Sequence, residues 1–122
     1  MHSKLRRTLL GAAALGFAAA AVPAAGEGGV SQEELIHKIQ YARTRADHEE
    51  IALIYEKQAS ADLAAAEEHR RMGSRYKQFD PSGVDRSTFA SMAVHCNNLV
   101  ELYTGAAKEH SALAALHREA AR

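Results

Sequence analysis

Apolar and polar positions follow one another along most of this chain in the rhythm of helices. From residue 45 to 77, Ile51, Ala52, Tyr55, Ala59, Ala66, Met72 and Tyr76 recur at helical spacing, with Glu56, Lys57, Glu67, Arg70 and Arg71 placed outward. From 87 to 121 the apolar face runs Phe89, Met92, Leu99, Tyr103, Ala106, Leu113 and Ala114. Each pattern predicts one long helix, the first of roughly 50 Å. A shorter helix is predicted over 32–43, where Leu35, Ile36, Ile39 and Tyr41 follow Ser31 and Glu34, the pair that makes a capping box. Thr44-Arg45-Ala46-Asp47 is a second cap signal, at which the chain restarts as a new helix or continues as one longer helix; the restart is preferred. Phe79-Asp80-Pro81-Ser82-Gly83 ends the first long helix, because Pro81 cannot continue a helical ladder and Gly83 tolerates turn dihedrals. Asp85 or Ser87 caps the next. No strand-like alternation interrupts this, so the fold class is all-α, an antiparallel long helical hairpin with a short N-terminal helix.

A second pattern fixes how the long helices face each other. His48, Tyr55, Asp62, His69 and Tyr76 recur every seven residues on one, and Phe89, Cys96, Tyr103, His110 and His117 recur every seven on the other. A chain that folds back near Ser82 and Gly83 then sets Tyr76 against Phe89, His69 against Cys96, Asp62 against Tyr103, Tyr55 against His110 and His48 against His117. A coiled-coil seam of this kind is ordinarily Leu and Ile. Burying His, Tyr, Asp and Cys there requires a partner for each polar group. Asp62 facing Tyr103, and Tyr55 facing His110, read as hydrogen-bonded ladders. The neighbouring seam is alanine (Ala52, Ala59, Ala66; Ala106, Ala107, Ala114), which lets helices approach closely but buries little area, at about 25 cal/mol per Å². A bare hairpin is therefore marginal. The expectation is a three-helix bundle, with the short helix as third member, or a four-helix bundle made by dimerisation.

Ahead of the helices the composition changes. His2, Lys4, Arg6 and Arg7 precede the Ala-rich apolar run Leu9 to Val22, so residues 1–25 are expected to be a signal peptide, cleaved after Ala24 or Ala25. Arg6-Arg7-Thr8 partly matches a twin-arginine signal, although the general secretory route is the simpler expectation. The run is too short for a membrane span. Gly26-Glu27-Gly28-Gly29 opens a flexible leader over 26–30, and residues 31–122 form a single helical domain. Removing Lys4, Arg6 and Arg7 from the 15 basic residues leaves 12 against 15 acidic, which argues against nucleic acid as a partner. The expected location is periplasmic or secreted, with no stable membrane anchor.

The lone cysteine changes the picture further. Cys96 cannot close an internal disulfide, and in an oxidising compartment it is a free thiol, an intermolecular bridge or a metal ligand. His69 and Met72 share one face of their helix, and Met92 and Cys96 share one face of the other. In the proposed register these side chains lie at one level of the hairpin. Thiolate, thioether and imidazole together suit a soft ion, Cu(I) before Zn(II). His95 points about 100° away from Cys96 and is an outer-shell or substitute ligand. His48 with His117, near the open end, is a second and weaker candidate pair, and His37 has no assignable partner. Methionine as a core gap-filler and cysteine as a small hydrophobe is the competing, purely structural account of the same residues.

Several chemistries lack their signatures. There is no Cys-x-x-Cys-His for covalent haem, no Glu-x-x-His pair of the di-iron bundles, no Gly-rich nucleotide loop and no Gly-x-Ser-x-Gly elbow, so no enzymatic role is expected. Asp47-His48, Tyr55, His69 with Met72, His95-Cys96, Tyr103 with Ala106-Ala107, and His117 together resemble a group of small exported alanine-rich helical proteins of Gram-negative bacteria. The resemblance spans about residues 44 to 121 and implies fold and compartment; that group has no established activity, so no site residues follow from it. Two readings stand at this point. One is a soluble periplasmic bundle that buffers or delivers a soft metal ion. The other is a non-catalytic interaction module, pairing with itself or another helical protein, whose polar seam sets register.

Overall fold

The structure is a computed structural model that describes residues 29–78 and 85–122. The expected signal peptide, the start of the leader and the turn around Pro81 lie outside the described residues. Within them the chain is all-helical, with α1 at Gln32–Tyr41, α2 at Arg45–Gln78 and α3 at Arg86–Ala120. The two long helices pack side by side as the hairpin, and α1 packs on α2 alone. None of these helices is long and apolar enough to cross a membrane.

The helix ends follow from their caps. Ser31 Oγ accepts the Glu34 N–H at 3.1 Å, and Val30, assigned to the leader by sequence, instead packs on Leu35 as a hydrophobic staple. The chain leaves the helix at Ala42 and restarts after Thr44. There the Thr44 hydroxyl accepts the Asp47 N–H, and Asp47 Oδ2 accepts the Arg43 and Thr44 N–H groups at 2.8 Å each. Those bonds, the Arg43 one first, hold the Asp47 carboxyl below its ordinary value. Asp85 caps α3 through the Ser87 N–H.

The core is thin and has two parts. Leu35 from α1 meets Ile51 and Ile54 of α2, with Val30, Ala42 and Tyr55 packed around them. Lys38 reaches across to Glu50 at 2.8 Å. The hairpin seam itself buries Ala52, Ala59 and Ala66 on α2 and Ala93, Cys96, Ala107, Ala114 and Ala121 on or just after α3. Gly73 marks a close approach of the two helices, since a Cβ there would lie 3.2 Å from the Cβ of Cys96.

The Gly73–Cys96 contact defines the layers. Stepping by heptads from it sets Ala66 level with Tyr103, Ala59 with His110 and Ala52 with His117. In the layers between, Tyr76 is level with Ala93, Asp62 with Ala107 and Tyr55 with Ala114. Most layers thus hold one small side chain and one larger or polar one, so the rings are accommodated without prying the helices apart. Along one edge Arg118 pairs with Glu56 and lies 3.6 Å from Glu49, an exposed arrangement worth little in stability.

Candidate functional site

The candidate site is the polar seam, where each large side chain sits between two facing residues a heptad apart and chemistry decides which it engages. Tyr76 meets Phe89 edge-on at 5.9 Å between ring centroids, and His48 Nδ1 lies 3.1 Å from His117 Nδ1, both as the sequence register anticipates. Tyr55 stacks on His110 at 5.9 Å and on His117 at 5.8 Å. The expected Tyr55–His110 hydrogen bond is therefore a ring stack.

Two expected pairings are replaced. Asp62 takes His110 in place of Tyr103, Oδ2 to Nδ1 at 2.6 Å, because a carboxylate binds an imidazole N–H, charged when protonated, more strongly than a phenol. Tyr103 is then left to stack on His69 at 5.5 Å and 9° between planes, where sequence had set His69 against Cys96. The result is a zipper running His48, His117, Tyr55, His110, Asp62, crossing the helix interface at each step.

The four soft-ligand candidates are distributed unevenly. His69 and Cys96 lie in the seam, with Cys96 buried at 7% exposure and His69 half-buried; His69 Nδ1 is buried and has no hydrogen-bond partner. Met72 and Met92 lie on the flank, 40% and 39% exposed. Met72 lines an open surface groove of about 550 Å³ with Glu68, Arg71, Arg75 and Tyr76. His95 is exposed, and His37 packs against Tyr41 at 4.6 Å, a partner the sequence reading lacked. Among the described residues, no three His, Cys, Asp or Glu side chains converge as a metal-ligating group.

No family model, curated protein or solved structure matches this chain. What the site does is therefore argued from its own residues.

His117 gives the seam a pH response. Burial first, and then neighbouring His48, lower the His117 pKa below its ordinary value. As pH falls below about 6.5 the unfolded chain takes up this proton before the folded one does. Stability that is intact above that pH then declines, levelling off once the folded ring is protonated as well. The loss is modest because the ring is only half-buried. Urea unfolding at pH 7.5 and 5.0 is expected to show a smaller acid-side loss in His117→Asn than in the parent; equal losses would place the response elsewhere.

Proposed function

We propose that this chain is an exported, non-catalytic helical module that pairs with a second copy of itself through one flank of α3. The observation that carries this is a second heptad repeat on α3, separate from the seam: Met92, His95, Leu99, Leu102, Ala106, Glu109, Leu113, Leu116 and Ala120. Leu102 is 68% and Leu116 59% exposed, while Leu99 and Ala106 are partly covered, so it is the outer edge of the stripe that is uncovered in the single chain.

A second copy is the occupant favoured by the core. Above the size of alanine and cysteine, the buried side chains among the described residues are only Leu35, Ile51 and Ile54. That is little apolar burial for a domain of this length. Two α3 stripes meeting about a two-fold axis would form a four-helix arrangement in which each copy supplies the same surface. The zipper fits this role, since fixed register between α2 and α3 sets the spacing of the outer stripe. Size-exclusion chromatography with light scattering is expected to give twice the chain mass for the parent and the chain mass for Leu102→Glu/Leu116→Glu. A monomeric parent at high concentration, or a dimer untouched by the substitutions, contradicts the proposal.

A second reading, soft-ion binding by His69, Met72, Met92 and Cys96, is favoured by one observation. The buried, unpartnered Nδ1 of His69 shares the seam with a buried thiol. Imidazole and thiolate suit Cu(I) first and Zn(II) second, and the two thioethers would have to turn inward from the flank to join them. Cys96→Ser is the discriminating variant, because only this reading makes the thiol indispensable.

A further inference from the structure

We propose that His48 and His117 form a zinc clamp, binding one Zn(II) ion through their two Nδ1 atoms and tying the start of α2 to the end of α3. The site does not depend on self-pairing and is separate from the His69–Cys96 region.

The argument begins with the two facing atoms. Both are Nδ1, 3.1 Å apart, on opposite helices and part-buried. A neutral imidazole carries one N–H and one lone pair, so the pair can hydrogen-bond only if one ring adopts the Nδ1–H tautomer. With both rings protonated at Nε2, two lone-pair nitrogens face each other across 3.1 Å, the arrangement a cation resolves. A tetrahedral zinc ion with Zn–N bonds near 2.0–2.1 Å separates two ligand nitrogens by roughly 3.3 Å. The two nitrogens need separate by only about 0.2 Å to reach that span, with each ring turning to aim its lone pair at the ion.

The surroundings are compatible with a bound ion. Tyr55 stacks on His117 at 5.8 Å and limits its ring rotation. The side chains level with the pair, Ala52 and Ala121, are small and buried. Asp47 and Glu49 flank His48 along the chain, and Arg118, next to His117, is engaged by Glu56 and Glu49. No third protein ligand joins the pair among the described residues, which leaves the remaining coordination positions to water. Imidazole nitrogen with water suits Zn(II) better than it suits Mg(II) or Ca(II). Because the two ligands come together only in the folded hairpin, the ion binds the native state and raises its stability by mass action.

The test is the thermal midpoint of the chain at pH 7.5 with zinc chloride, with magnesium chloride, and with a chelator. Zinc in large excess over its dissociation constant is expected to raise the midpoint by about 5 °C or more, and magnesium to leave it unchanged. His48→Gln and His117→Gln should each lose the zinc shift, whereas Cys96→Ser should keep it. Should either His variant fail to fold, the parent's histidine ring resonances decide. Zinc moving those of His48 and His117 supports the clamp, and zinc moving only other histidines overturns it. No midpoint shift in the parent, or an equal shift in both folded His variants, also overturns it.

Discussion

Ile51→Ala is expected to lower the unfolding free energy by about 3 kcal/mol, within the range for emptying a buried aliphatic site. Ile51 is the one large side chain among the described residues with no exposure at all, and it sits where α1 meets the hairpin. Its neighbours Leu35 and Ile54 come from different helices, so their collapse into the vacated space is restrained. The loss is not confined to volume. α1 has ten residues, too few to hold helical structure alone in water, and its attachment to α2 consists of this cluster and the Lys38–Glu50 pair. Amide exchange should therefore show α1 losing protection while the middle of α2 and α3 keeps it. A cost under about 1 kcal/mol with α1 still protected would mean that the cluster is not what holds it.

Gly73→Leu should be nearly as damaging, at about 2–3 kcal/mol, by the opposite mechanism of overpacking. The contact involves the Cβ of Cys96, which cannot swing away as the end of a long side chain could, and the Ala93 carbonyl lies 3.7 Å off on the same side. Two controls set the scale. Gly73→Ala gains up to about 1 kcal/mol in helix propensity but must absorb a 3.2 Å contact, so it should be close to neutral. Gly105→Ala meets nothing within 4 Å and should stabilise by about 1 kcal/mol. Denaturation midpoints should then fall in the order Gly105→Ala, parent with Gly73→Ala, and last Gly73→Leu. A neutral Gly73→Leu would contradict the close helix approach on which the layer assignment rests.

Much of this fold is legible in the residues because its signals are local. Ser31 with Glu34, Thr44 with Asp47 and Asp85 with Ser87 punctuate the chain, and the heptads of His, Tyr and Asp are regular enough to orient two helices against each other. The register is harder to read. Pairing large residue with large residue matched Tyr76 to Phe89 and His48 to His117, yet in antiparallel packing a side chain lies between two facing neighbours, and numbering alone does not say which it engages. For Asp62 the answer was electrostatic, His110 over Tyr103; for His69 it was the ring left available. Gly73, Ala93 and Ala121 are not legible as seam positions, because a small residue announces itself only once its opposite number is known. The outer repeat of α3 runs through Met92, Leu99 and Leu113, which spacing alone assigns to the core, and only the exposure of Met92, Leu102, Leu113 and Leu116 reveals a second face. His69 and Cys96 do share the seam, while the flank position of Met72 and Met92 depends on helix phase that spacings of three and four leave loosely fixed.

The claim that ties zipper, thin core and outer stripe together is that the folded unit is a pair of chains. Its most direct test is the thermal unfolding midpoint of the parent protein followed over a hundredfold range of concentration. A folded dimer that dissociates on unfolding must show a midpoint that climbs with concentration, while Leu102→Glu/Leu116→Glu stays flat. A parent midpoint independent of concentration, with reversible unfolding, would contradict the account and leave the hairpin stable as a single chain.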